Sequence, residues 1–192
     1  KYNTDFSQRH EVINSVSSID NKYLEIGVET GYTFNNVHMQ NKVGVDPSPQ
    51  FESEKLVLKT SDDYFENLDP NTNSKFDIIF IDGLHLTDQV DIDIKNSLRQ
   101  TKENGIVILH DCNPTTLEMT LVPRQTIQWN GNVYKSVLKF RKNNTQHSYF
   151  TVDTDWGVGI ILKNKKQQDW NTPKNYDLAL DDWNYFDTNR TK

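Results

Sequence analysis

The stretch Phe76-Asp77-Ile78-Ile79-Phe80-Ile81-Asp82-Gly83-Leu84-His85 decides the fold class. Its apolar run is nearly continuous, as in a strand buried on both faces; a half-exposed strand would alternate. Downstream, Thr87 to Gln100 carries Val90, Ile94 and Leu98 at four-residue spacing, which predicts a helix with one buried stripe. Gly105 is expected to break that helix. Ile106 to Leu109 then gives a second doubly buried strand, within Gly105-Ile106-Val107-Ile108-Leu109-His110-Asp111-Cys112-Asn113-Pro114. Upstream, Tyr23 to Val28 reads as a strand ending in glycine, Tyr32 to Met39 as a helix and Lys42 to Val45 as a strand. Leu56 to Lys59 suggests a third strand, followed by an acidic turn at Ser61-Asp62-Asp63. Strands alternating with helices require crossover connections, hence a parallel, helix-flanked sheet. The fold class is α/β, doubly wound.

The ends of the chain complete this frame. Phe6 to Ile19 reads as a helix with Ile13 and Val16 on one face, capped by Asp5 with Gln8 three residues on. Pro114 to Gly131 has no period and is a long connection at the sheet edge where functional loops lie. Val133 to Lys142 resumes as a helix. His147 to Val152 and Gly157 to Leu162 form a hairpin about Asp153-Thr154-Asp155-Trp156. The aromatic, acidic tail (Trp170, Tyr176, Trp183, Tyr185, Phe186) reads as a closing segment packed on the sheet. The organisation is one domain over residues 1–192, with an N-terminal helix in 1–22, a substrate loop at 114–132 and the closing segment at 165–192.

Composition narrows the function. Lys plus Arg number 21 against 27 Asp plus Glu, a net charge of −6, which argues against a general nucleic-acid or anionic-membrane binder. No apolar run approaches the ~20 residues that span a bilayer. One cysteine, Cys112, excludes an internal disulfide and suits a reducing compartment. The chain opens at Lys1 with no leader, and the missing initiator Met points to a trimmed chain or an excised domain. A cytoplasmic location is expected.

Four motifs carry chemistry. In Tyr23-Leu24-Glu25-Ile26-Gly27-Val28-Glu29-Thr30-Gly31, a strand ends in an acid, and two glycines let backbone approach a ligand closely. Glu29 replaces the middle glycine of a dinucleotide fingerprint, so a pyrophosphate is disfavoured, whereas Glu25 and Glu29 suit a cationic ligand such as an amine or sulfonium. Asp46, 19 residues after Gly27, is placed to accept ribose hydroxyls; its plainer role is a turn-initiating Asp before Pro47. Ser61-Asp62 reads equally as an adenine-edge contact or, through Asp62, a helix cap. Asp82/His85 and His110/Asp111 place a carboxylate and a histidine at the ends of two central strands, where open α/β sheets bind ligands.

These segments resemble a class I S-adenosylmethionine-dependent methyltransferase, above all the bacterial members with I-D-G-x-H after the fourth strand and H-D-C-N-P after the fifth. That subgroup includes small-molecule and sugar O-methyltransferases. The resemblance implies a Rossmann-like, mostly parallel seven-stranded sheet with an antiparallel final strand at Gly157 to Leu162. It also implies S-adenosylmethionine cradled by Glu25, Gly27 and Gly31, its ribose on Asp46, its adenine by Asp62 and its methyl near Asp82. Related metal-dependent enzymes hold Mg²⁺ on carboxylates matching Asp82 and Asp111. Cys112 stands where another oxygen ligand is common, so Asn113, His85 or His110 would have to complete a site, better for Mn²⁺ or Fe²⁺. Without a metal, His85 or His110 is the expected general base. Arg124 and Trp129 are substrate-side candidates, charge for a phosphate or carboxylate and a flat ring for a sugar, or else an ordinary surface Arg and a packing Trp. The expected partner is a small-molecule or sugar acceptor, with no nucleic acid and no membrane insertion; a homo-oligomer is compatible. Two other classes compete: an NAD-type oxidoreductase, and a non-catalytic module of a larger polysaccharide-synthesis protein.

Overall fold

The computed structural model describes residues 6–68, 75–165 and 183–190. In chain order these form α1 (Arg9–Ser15), β1 (Tyr23–Ile26), α2 (Tyr32–Asn36), β2 (Lys42–Val45), β3 (Leu56–Val57), α3 (Ser61–Glu66) and β4 (Phe76–Ile81). There follow α4 (Thr87–Gln100), β5 (Thr101–Leu109), a 3-10 turn at Leu117–Thr120, α5 (Val133–Asn143), β6 (Ser148–Val152), β7 (Val158–Leu162) and α6 (Trp183–Asn189). One seven-stranded sheet runs β3-β2-β1-β4-β5-β7-β6. β1 to β5 are parallel, and β7 is antiparallel to both β5 and β6. The strand order reverses between β1 and β4, whose following connections diverge to opposite faces and open a crevice at their carboxyl ends.

Burial explains the arrangement. Ile78, Ile79 and Phe80 of β4 are essentially inaccessible, as a strand covered on both faces requires. Ile78 and Phe80 pack with Val12, Ile13, Phe34 and Met39 on one face. On the other, Ile81 packs with Val90, Ile94, Val107 and Val137, and Ile79 with Leu24, Ile26 and Phe65. Trp183, Tyr185 and Phe186 pack on Tyr134 and Leu138 of α5, a helix, rather than on the sheet. Trp170 and Tyr176 lie outside the described residues, as does Asp5. No described helix is long and apolar enough to cross a membrane.

Several boundaries differ from the expected ones. α1 is a short helix rather than one over 6–19, because only Val12 and Ile13 find a core while Val16 and Ile19 stay exposed. Its N-terminus is closed by the Glu11 carboxylate, which accepts from Ser7 N at 2.7 Å and Gln8 N at 3.1 Å. α2 stops at Asn36 because Val37 turns extended. β3 is only Leu56–Val57. Ser61-Asp62-Asp63 is the first turn of α3, and its cap is Thr60, whose Oγ1 accepts from Asp63 N, so Asp62 is no helix cap. Gly105 does not end α4. The helix closes at Gln100, the Thr101 hydroxyl donates to Ser97 O at 2.7 Å, and Gly105 lies inside β5.

Gly27 is where β1 and β4 begin to part. Its φ is +82°, and a Cβ there would sit 2.2 Å from the Asp82 carbonyl oxygen. Strain and backbone overlap together predict that Gly27→Ala costs about 2–5 kcal/mol. Gly83→Ala, whose nearest neighbour is Ile26 Cγ2 at 3.4 Å, is the matched control with a small effect. Urea midpoints compare the two, and equal midpoints would contradict the assignment.

Candidate active site

A cleft of about 800 Å³ opens at the carboxyl ends of β1, β4 and β5, within the range that holds a cofactor-sized ligand. One wall is the turn from Gly27 to Gly31. Gly27, Glu29 and Gly31 all have positive φ, and a Cβ on Gly31 would strike the Phe51 ring. Asp46 at the end of β2 braces this turn: Oδ2 accepts from Val28 N and Glu29 N at 2.9 Å each, and Oδ1 from Ser48 N at 2.8 Å. Asp46 lines the cleft where a ribose acceptor was expected, with part of its acceptor capacity already committed to the turn. Glu29 is exposed at the rim.

Glu25 lies at the base of the cleft, only 1% exposed. Tyr23 Oη donates to its Oε2 at 2.6 Å. Burial raises its pKa to about 8, against the hydrogen bond from Tyr23 and the charges of Arg9 and Lys42. The carboxyl is therefore mostly neutral at pH 7, and a cation placed beside it would favour its ionised form.

Asp82, His85, His110 and Asp111 converge as the sequence suggests. Asp82 Oδ1 stands 3.3 Å from His85 Nε2 and 3.2 Å from His110 Nδ1. His110 Nδ1 is also 3.4 Å from Asp111 Oδ2. Burial opposes charge at all three groups with resolved shifts, but their mutual pairing wins: Asp82 is held far below the usual carboxylate range, and both histidines are raised above 6.5. His85 Nδ1 lies 3.1 Å from Asp111 Oδ2 yet out of line for a hydrogen bond, leaving that buried nitrogen without a hydrogen-bond partner. Asp111 has a φ of 59° and accepts from the buried Asn130 Nδ2 at 2.8 Å.

The donor chemistry of Asp82, His85 and Asp111 fits a divalent cation. One ligand atom from each lies within 4.8 Å of the others, and the orphaned Nδ1 is among the available donors. Cys112 does not contribute: its thiol is buried in the core beneath β5, and burial pushes its pKa to about 12. Asn113 also points elsewhere, its amide donating to Asp153 Oδ1 at 2.7 Å, and it does not line the cleft.

Ser61 and Asp62 do line the cleft, tied to a residue not singled out from the sequence, Gln89. Its Nε2 donates to Ser61 Oγ at 3.2 Å, Asp62 Oδ1 at 3.0 Å and Asp93 Oδ1 at 3.2 Å. Burial raises the Asp93 carboxyl to about 6. On the opposite side, Trp129 stacks on His85 with ring centroids 5.5 Å apart and donates Nε1–H to Leu121 O at 2.7 Å. Arg124 lines the same wall, but its guanidinium is bonded to the Thr126 and Ile127 carbonyls of its own loop.

Arg9, Thr33, Asn130, Asp155 and Trp156 also enter the cleft. None has a sequence signal. Arg9 reads as a surface charge on an amphipathic helix, and Asp155 and Trp156 as ordinary hairpin turn residues. Yet Arg9 Nε lies 3.0 Å from Thr33 Oγ1 and 3.6 Å from Asp82 Oδ2, and Nη1 lies 3.3 Å from Asp155 Oδ2. His110 Nε2 is 2.7 Å from both Asp155 O and Arg9 Nη1.

Comparisons with known proteins bear on the fold that carries this cleft. Residues 24–112 match a family described as a methyltransferase domain. No curated protein sequence matches the chain. Among solved structures, the chain is similar to the SAH-bound methyltransferase PaMTH1 of Podospora anserina, at 19% identity and a TM-score of 0.56, over 76% of this chain and 72% of that one. It is similar to an O-methyltransferase from Bacillus cereus in complex with SAH (11% identity, TM-score 0.53, 80% and 78% covered). A third is the O-methyltransferase TomG of Streptomyces achromogenes, in complex with SAM (14% identity, TM-score 0.53, 81% and 78% covered). At these identities the likeness is one of fold.

Proposed function

We propose that this chain is a class I methyltransferase and that it transfers the methyl group of S-adenosylmethionine to a hydroxyl of a small molecule, a reading supported by the methyltransferase-domain match over residues 24–112 and by the fold. The observation that carries the reading is the single cleft joining the Gly27–Gly31 turn and Glu25 to the Asp82–His85–His110–Asp111 cluster. Glu25 would take the cofactor's ammonium, the glycine turn its amino-acid portion, Asp46 its ribose, and Ser61 with Asp62 its adenine edge. Glu29 at the turn keeps a dinucleotide pyrophosphate disfavoured.

In the transfer, the acceptor oxygen attacks the sulfonium methyl, the C–O bond forms as the C–S bond breaks, and the sulfur leaves as a neutral thioether. The protein chiefly supplies alignment. The acceptor's proton must leave with this step, and His85 is the residue we assign to receive it. It is the more accessible histidine, 21% exposed against 5% for His110. Trp129, stacked on His85, gives the acceptor a flat surface, and exposed Leu84 and Ile127 extend that wall. A divalent cation, where bound, would be held by Asp82, His85 and Asp111 and would lower the acceptor hydroxyl's pKa.

Calorimetric titration with S-adenosylhomocysteine, first in EDTA and then with Mg²⁺ or Mn²⁺, tests the reading. Micromolar binding is expected. Turnover that survives EDTA favours His85 as the base, and turnover that requires Mn²⁺ makes His85 a ligand instead. No binding under any condition overturns the methyltransferase reading. Binding with no turnover on any hydroxyl acceptor overturns the transfer step.

A further inference from the structure

The guanidinium of Arg9 is fixed along one edge and open along the other. Nε is bonded to Thr33 Oγ1 at 3.0 Å and faces Asp82 Oδ2 at 3.6 Å; Nη1 faces the Asp155 carboxylate at 3.3 Å and packs against His110. The backbone N–H of Arg9 is held as well, donating to Asp155 Oδ2 at 2.8 Å. Nη2, with two N–H groups, has no partner among the described residues and is not shut off from solvent, and Arg9 lines the cleft. A planar donor edge held this way loses little freedom when it meets an oxyanion.

Its place in the cleft says which oxyanion. Thr33 stands in the first turn of α2, directly after Gly31, so the guanidinium lies behind the glycine turn. Arg9 is also near enough to Glu25 to lower that group's pKa. Among the described cleft-lining residues the other basic side chains are His85, His110 and Arg124. The two histidines are engaged by carboxylates, and Arg124 is turned into its own loop. The geometry points to Arg9 Nη2 as the anchor for the α-carboxylate of the cofactor, opposite Glu25, which takes its ammonium. This rests on the reading above, and it makes α1 part of the cofactor site. The N-terminal helix is latched to the β6–β7 turn by the Asp155 contacts and by Thr154 Oγ1 donating to Phe6 O at 2.7 Å, so the two elements close this end of the cleft together.

Two ligands test it by calorimetry: S-adenosylhomocysteine and its decarboxylated analogue, which keeps the ammonium and lacks only the carboxylate. The wild type should prefer the carboxylated ligand by roughly 10- to 100-fold, as a charge-assisted pair predicts. Arg9→Gln should weaken S-adenosylhomocysteine by that factor beyond any change in the analogue, whose affinity moves only as far as the ionisation of Glu25 does, so that the preference collapses; Arg9→Lys should restore part of it. Retained binding of the analogue also reports that the cleft remains folded. An equal loss for both ligands would make Arg9 merely structural, and no loss for either would free it of any role; both overturn the proposal. A preference preserved in Arg9→Gln would take the carboxylate off Arg9 and overturn the cofactor assignment. Failure of the wild type to bind S-adenosylhomocysteine at all would instead bring down the reading beneath it.

Discussion

Asp82→Asn should lower turnover by about 100- to 10,000-fold, the range lost with a positioned acid–base group. Asp82 is the hub of the cluster: Oδ1 faces His85 Nε2 and His110 Nδ1, and Oδ2 faces Arg9 Nε. An asparagine is isosteric but carries no charge, and one end of it is a donor turned toward donors. The largest consequence is electrostatic. His85 and His110 hold their protons above pH 6.5 in large part through Asp82, so its loss lowers both pKa values. A His85 base works only once deprotonated, so the acid limb of the pH–rate profile should move to lower pH even as the plateau falls. The folding effects have opposite signs for the two kinds of group. Asp82, with its folded pKa depressed, contributes stability present above about pH 4 and lost as pH falls below it. The histidines, with raised pKa values, contribute stability that is full below about pH 6.5 and lost as pH rises through their folded pKa values. Removing one partner from so buried a cluster costs about 3–5 kcal/mol, so the variant should also unfold at lower urea concentration near pH 6. Near-normal turnover with an unmoved acid limb would rule out Asp82 as the hub.

The succession of strands along the chain and the carboxyl-end place of the cleft were legible because burial on both faces writes itself into composition. β4 is apolar but for Asp77, the second half of β5, Ile106 to Leu109, is a continuous apolar run, and each ends in polar groups at the carboxyl edge of the sheet, where open α/β sheets bind ligands. What the sequence could not carry was contact between distant segments. Arg9 meets His110 and Asp155 across separations of 101 and 146 residues, set by how α1 packs, and no local spacing encodes that. Asn130 is a buried amide in an aperiodic loop, invisible until Asp111 is seen opposite it. Asp46 shows a subtler limit. Its position at the end of β2 was readable, but not that its carboxylate would be bracing the Val28 and Glu29 amides. Cys112 and Asn113 follow Asp111 directly, yet neither joins it in the cleft. The positive φ of Asp111 redirects the chain, sending the thiol into the core and the amide toward Asp153.

Cofactor binding should be coupled to release of about one proton from Glu25. In the free protein burial raises this carboxyl from 4.5 to about 8, so near neutrality it is largely protonated in the folded chain and ionised in the unfolded one. An acid with a raised folded pKa destabilises the fold as pH climbs from 4.5 toward 8, by about 5 kcal/mol across that window at 1.36 kcal/mol per pKa unit. A ligand ammonium reverses the preference by pairing with the ionised form. The affinity for S-adenosylhomocysteine should therefore rise with pH by up to about tenfold per unit below pH 8 and level off above it. Titrations in buffers of different ionisation enthalpy count the proton directly. Glu25→Gln should abolish both the proton count and the pH slope, because it offers the ammonium no charge at any pH, and it should flatten the loss of fold stability between pH 5 and 8. Tyr23→Phe removes the hydroxyl that favours the ionised carboxylate, so the affinity plateau should be reached at higher pH. These two variants separate a cofactor contact from a structural one. A buried acid with no part in binding would change stability with pH in the same way but would leave the proton count of binding at zero. A zero count in the wild type would remove Glu25 from the cofactor site.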